Sequence, residues 1–120
     1  MSRFQDKWVF VKHKYRETFE IPGGRRDEDE TVTECARREL SEETGATEFE
    51  LVPLDIYSIK HEDDSVTYGQ MFLADIFRMT DLPESEIGEV RLCEEPPEEL
   101  TYASIHPVLF QRAVDHLREV

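Results

Sequence analysis

The sequence predicts an α/β domain in which a mixed β-sheet is sandwiched between α-helices. Three observations carry that prediction. Strand-like apolar runs such as "KWVFVKH" and "VTYGQMFLADIFRM" stand beside two stretches whose apolar residues recur at three and four. Their order is strand, strand, helix, several strands, helix, and no long linker, repeat or low-complexity tract interrupts it. At 120 residues the chain is close to the commonest domain size, so residues 1–120 are expected to form one domain.

Residues 7–13, "KWVFVKH", have the β-branched and aromatic richness of a strand, and "TFEI" (18–21) reads as a short second strand after a basic loop. Pro22, Gly23 and Gly24 then break the pattern. From Thr31 the period changes. Val32, Cys35, Ala36 and Leu40 form a narrow apolar stripe, and Gly45 supplies a stop, which predicts a helix of about three to four turns. "FELVPLDIYSI" (49–59) and "VTYGQMFLADIFRM" (66–79) predict a hairpin closed by the polar turn "KHEDDS". "EVRLC" (89–93) is a further short strand. The tail places Leu109, Phe110, Ala113, Val114 and Leu117 on one helical face with Pro107 near its start, and this helix is expected to pack on the sheet.

Charge narrows the function. Against 28 acidic side chains the chain has 14 Lys and Arg, a formal net charge of −14. That balance opposes binding to nucleic acid or to anionic membranes through bulk electrostatics, and a phosphate-bearing ligand would need local cations or a divalent metal. Cys35 and Cys93 give neither a disulfide framework nor a zinc spacing, and read as small hydrophobes in a reducing compartment. No apolar stretch follows Met1, and "WVFV" and "MFLA" are far too short to span a bilayer. A cytoplasmic protein is expected.

The unusual segment is the acidic helix. Glu39, Glu42 and Glu43 stand at i, i+3 and i+4, so their carboxylates gather on one face. Like charges at these spacings cost about 0.2–0.5 kcal/mol per pair, and their place toward the helix C-terminus adds to the cost. Arg38, four residues from both Glu34 and Glu42, offsets part of it. A divalent cation such as Mg²⁺, which takes hard oxygen ligands and bridges carboxylates to phosphates, would offset more. The Gly23-Gly24 turn lets backbone approach an ion or a phosphate with no side chain in the way. A solvated acidic face is the competing reading for the three glutamates taken alone.

Gly24, Glu30, Arg38-Glu39-Leu40, Glu42-Glu43 and Gly45-Ala46 match every defined position of G-x5-E-x7-R-E-U-x-E-E-x-G-U, where U is aliphatic. The segment 24–46 thus resembles the Nudix box, and the flanking elements fit the Nudix α/β/α sandwich in order. The family's first strand, ahead of the one at 7–13, has only "MSRF" to form it here. The resemblance leaves that sheet edge missing, shortened, or supplied by another subunit of a homodimer.

The resemblance implies hydrolysis of a nucleoside diphosphate linked to another moiety, with Mg²⁺ or Mn²⁺. Carried onto this chain, it makes Glu42 and Glu43 metal ligands, Glu39 a further ligand or the base for the attacking water, and the Gly23 carbonyl a backbone ligand. Arg38 would orient those glutamates, and Glu30 would fix the loop or reach a metal through water. In some relatives the base comes from a later loop, so Glu84, Glu86 and Glu89 are candidates, with Glu86 taken forward. Lys12, His13, Lys14 and Arg16 form a basic cluster suited to substrate phosphates, unless they merely discourage edge pairing. Phe19 and Tyr68 are candidates for stacking on a base, against the commoner role of strand aromatics in a core.

Markers that distinguish Nudix subgroups are absent downstream. Glu62 stands where ADP-ribose hydrolases carry proline, and Glu62, Asp63 and Asp64 lack the tyrosine of dinucleoside polyphosphate hydrolases. Neither the dinucleotide array nor a coenzyme A signature is present. The remaining expectation is a MutT-like (deoxy)nucleoside triphosphate pyrophosphohydrolase. Hydrolysis of ADP-ribose or another nucleotide sugar, and a non-catalytic nucleotide sensor, are the competing readings.

Overall fold

The computed structural model describes residues 1–119. Its elements are β1 (Ser2–Phe4), β2 (Lys7–His13), α1 (Val32–Thr44), β3 (Ala46–Lys60), β4 (Val66–Met79), β5 (Ile87–Cys93) and α2 (His106–Arg118). The strands form one mixed sheet in the order β3-β4-β1-β2-β5. β1 runs parallel to β4, and the other neighbouring pairs are antiparallel.

The first strand corrects the expectation of a defect at the sheet edge. It is shortened to Ser2–Phe4, yet it occupies the centre of the sheet and comes from this chain itself. Gln5 and Asp6, at φ 52° and 63°, turn the chain tightly into β2. On the other side Ser2 pairs with Ala74 and Phe4 with Ile76, and the Met1 carbonyl accepts the Ala74 N–H at 2.8 Å. "TFEI" also departs from expectation. Phe19 and Glu20 make only single bridges, to Leu100 and Val11, because this segment crosses between β2 and the loop before α2.

Alternation along β2 and β4 divides the core between the two faces of the sheet. Trp8, Phe10, Met71 and Leu73 point to the face that packs Leu109, Phe110, Ala113 and Val114 of α2. Val9, Ala74 and Ile76 point to the other, where they meet Leu40 of α1. Trp8 and Phe110 meet edge to face with centroids 5.1 Å apart, and Arg112 Nε donates to Asp55 Oδ2 at 2.6 Å, tying α2 to β3. A fully buried aromatic such as Phe10 contributes about 1.5–3 kcal/mol relative to exposure. Among the described residues no helix is long and apolar enough to cross a membrane.

The helix α1 has well-formed ends. Thr31 and Glu34 form a capping box, with reciprocal bonds of 3.1 and 3.0 Å, and Gly45 closes the C-terminus at φ 80° with its N–H on the Ser41 carbonyl. Cys35, Leu40, Glu43 and Thr44 are its buried residues. Val32, at the start of the apolar stripe read from sequence, is exposed in the first turn of the helix.

Candidate active site

The acidic face of α1 is organised by one guanidinium. Arg38 donates from Nε and an Nη to both oxygens of Glu30, at 2.7 and 2.9 Å. Its other Nη donates to Glu39 at 2.9 Å and to Glu42 at 3.2 Å, and a bond to the Arg25 carbonyl at 3.4 Å ties in the glycine turn. A planar donor fork meets this many acceptors where an ammonium could not. Hydrogen bonding from Arg38, first, holds the Glu30 carboxyl down to about 2, and the same contacts raise the guanidinium further above neutrality.

Two of the three glutamates face the glycine turn. The Gly23 N–H donates to Glu43 Oε1 at 3.3 Å. A Cβ at Gly24 would lie 2.7 Å from Cδ and Oε1 of Glu39, so the carboxylate occupies the room that the missing side chain leaves. Glu43 is buried and hydrogen-bonded to Glu39; burial, first, and that neighbouring carboxylate push its carboxyl up to about 9. A buried carboxyl this close to a second carboxylate keeps its proton unless a cation takes its place. Hard oxygens, a close carboxylate pair and a side-chain-free turn fit a divalent cation. Glu42 is turned outward to Arg38 and half exposed. Accordingly no three acidic, His or Cys side chains converge in ligand geometry among the described residues.

A second polar group faces this pair. Glu20, 5% exposed, is held by His13 Nε2 on one oxygen and by Arg16 at 3.2 Å on the other. The Nδ1 of His13 lies 3.8 Å from Glu86, whose side chain is exposed. The juxtaposition follows from an irregularity in β5. Lys12 pairs with Glu89 but His13 pairs with Ile87, so the skipped Gly88 brings Glu86 to His13, where its carbonyl accepts the Lys14 N–H at 2.8 Å.

These groups line one cleft of about 1380 Å³. Of the residues read from sequence, His13, Arg16, Gly23, Gly24, Glu39, Glu43, Tyr68 and Glu86 are on its wall. Arg38 and Glu42 are not on that wall, and Arg38 reaches it through its bond to Glu39. Lys12 donates its Nζ to the Arg16 carbonyl at 3.1 Å and so braces the loop. Phe19 is core rather than a stacking surface, 3% exposed with Arg91 laid over its ring at 4.2 Å. Glu89 pairs with Arg91, and Glu84 is an exposed loop residue outside the wall.

Glu20, Arg25, Arg26 and His106 are among the wall residues not singled out from sequence. Arg25 and Arg26 are exposed cations immediately after the glycine turn, better placed for phosphates than the cluster at 12–16, whose His13 and Arg16 are engaged by Glu20. Their adjacency to Gly24 was the available signal. Glu20 carried none, since its burial depends on the single bridge to Val11.

Residues 2–114 match the NUDIX domain family. The Bacillus subtilis (strain 168) protein YtkD, provisionally named an 8-oxo-dGTP diphosphatase, is 35% identical over 79 residues, 66% of this chain and 49% of its own. The chain therefore spans about half the length of that curated relative. The structure of a mutant of the Bacillus subtilis pyrophosphohydrolase BsRppH is similar with a TM-score of 0.80 at 26% identity, covering 96% of this chain and 78% of the other. An ADP-ribose pyrophosphatase from Streptococcus suis is similar with a TM-score of 0.71 at 18% identity, over 98% of this chain and 87% of the other, a likeness of fold alone. Matched over nearly its whole length, and carrying the complete box on α1 and its glycine turn, the chain belongs to the Nudix family.

Proposed function

We propose that this protein hydrolyses (deoxy)nucleoside triphosphates to a nucleoside monophosphate and pyrophosphate, using Mg²⁺ or Mn²⁺. The observation that carries the reading is the Glu39 and Glu43 pair on the cleft wall, set against the side-chain-free turn at Gly23 and Gly24. YtkD, with its 8-oxo-dGTP diphosphatase name, favours a triphosphate over other nucleotide diphosphates. The free thiols of Cys35 and Cys93 suit a reducing, cytoplasmic setting.

Glu39, Glu43 and the Gly23 carbonyl would hold the cation, with Glu42 able to join them by turning from Arg38. A divalent cation supplies charge neutralisation at the phosphates and makes water more acidic there. The chain's own groups do the rest. Arg38 fixes the rotamers of Glu39 and Glu30, and Arg25 and Arg26 meet the outer phosphates. A water oxygen bonds to one phosphorus of the α–β bridge as the bond from that phosphorus to the bridging oxygen breaks, and the fragment on the other side departs with that oxygen and the electron pair, giving the monophosphate and pyrophosphate. The water's proton passes to Glu86, at the cleft mouth beside His13.

The test is a panel of nucleoside triphosphates, 8-oxo-dGTP, ADP-ribose, dinucleoside polyphosphates and nucleotide sugars, assayed with Mg²⁺ and again with chelator. Chelator-sensitive release of pyrophosphate from triphosphates is expected, and Glu43→Gln should remove most of it. Comparable slow rates on every class would overturn the triphosphate reading. Nucleotide affinity without any turnover would make the protein a sensor.

A further inference from the structure

Resting on that nucleotide reading, we infer that His106 is a specificity-determining residue, whose Nε2–H reads a carbonyl oxygen on the base and selects 6-keto purines over adenine. The Ile21 N–H donates to Nδ1 of His106 at 3.2 Å. A backbone N–H can only donate, so Nδ1 is the lone-pair nitrogen and a neutral ring carries its proton on Nε2. Burial keeps the ring neutral, pushing its pKa down to about 4. Nε2 has no hydrogen-bond partner among the described residues, nor is it one of their sealed, unsatisfied buried atoms. The residue lines the cleft, and its ring is propped against Tyr102 with centroids 5.1 Å apart.

Position supports a base contact. Ile21 is two residues before Gly23, a span of at most about 7 Å of chain. The bond to Ile21 therefore sets the His106 ring in the neighbourhood of the turn at which the phosphates are proposed to sit. Ile21, Tyr57 and Leu109 line the cleft too and make that part of its wall mainly apolar. A single fixed donor in an apolar wall discriminates strongly, because a ligand without the matching acceptor leaves the donor unpaired. Guanine and hypoxanthine present a carbonyl oxygen at ring position 6, where adenine presents an amino group that also donates. The mismatch is worth about 5- to 100-fold in kcat/KM.

The decisive measurement is kcat/KM for dGTP, dITP and dATP with Mg²⁺, in the wild type, His106→Asn and His106→Gln. Asn keeps an acceptor near the position of Nδ1 and so can satisfy Ile21, but it has no donor near Nε2. Gln reaches the Nε2 position with an amide N–H. The wild type should favour dGTP and dITP over dATP by about 5- to 100-fold. His106→Asn should melt close to the wild type yet lose that ratio, and His106→Gln should retain part of it. Equal use of dATP by the wild type, or an unchanged ratio in a folded His106→Asn, overturns the inference. Absence of turnover on any nucleotide defeats the hydrolase reading instead, and the same ratio, read as nucleotide affinity by calorimetry, then decides the role of His106.

Discussion

Replacing Gly24 with alanine separates the position of Glu39 from the stability of the fold. The new Cβ would meet Cδ and Oε1 of Glu39 at 2.7 Å and Oε2 at 2.9 Å. Ordinary carbon contacts lie at about 3.5–4.0 Å, so the carboxylate has to retreat by about 1 Å. The obstructing atoms are the tip of a flexible side chain, and the fold can yield there at a cost within about 1 kcal/mol. A displacement of about 1 Å among catalytic groups costs on the order of 100-fold in rate. Gly24→Ala should therefore melt like the wild type while kcat at saturating Mg²⁺ falls about 100-fold. Gly45→Ala is the opposite case. Its residue sits at φ 80°, and a Cβ would lie 2.5 Å from the Thr80 carbonyl oxygen, which belongs to backbone and cannot step aside. The left-handed conformation alone costs about 1–2 kcal/mol, so this variant should lose stability while its folded fraction keeps its turnover. Paired thermal melts and initial rates read both quantities. A Gly24→Ala enzyme within threefold of the wild-type kcat would refute the claim that Glu39 must stand where the turn leaves room for it.

Four further outcomes are expected. Arg38→Ala should lower kcat more than it raises KM, because it frees Glu39 and Glu42 without touching the cleft wall; steady-state kinetics would show the opposite split if Arg38 bound substrate. In the same variant the acid limb of stability should flatten. Glu30 is depressed to about 2 in the fold, so its contribution is present above its ordinary value of 4.5 and is lost as pH falls through about 2; urea melts in that window would detect it. Glu86→Gln should cost more activity than Glu84→Gln or Glu89→Gln, since Glu86 alone of the three lines the cleft; equal losses in parallel rate assays would remove it as the proton acceptor. For His106, depressed to about 4 from 6.5, stability is full above pH 6.5 and falls as pH drops through about 4. His106→Asn should make that fall smaller in pH-dependent melts.

The box and the hairpin were legible because their signals are local. Glutamates at i, i+3 and i+4 share a helical face whatever surrounds them, and the long runs joined by "KHEDDS" can pair with each other. What escaped the sequence depends on distant pairing. Glu84, Glu86 and Glu89 look alike as loop acids, and only the skipped residue in β5 brings one of them to His13. Phe19 reads as a strand aromatic of either fate until its bridge to Leu100 buries it. His106 carries no local signal of a site, and its bond to Ile21 reaches across 85 positions. "SRF" is too short to show any period, which is why the middle of the sheet was mistaken for its margin.

That short strand governs how the molecule comes together. The long β3–β4 ribbon closes on itself through a nearby turn, whereas β1 zips β2 to β4 by matching Ser2 with Ala74, far apart in the sequence. Such remote matches, this one and the β2–β5 pairing of Trp8 with Cys93, are the slow, entropically demanding steps. The ribbon should thus acquire amide protection early in refolding, and the glycine turn, seated on the β2 half, should meet the cleft wall contributed by the ribbon only once this keystone is set.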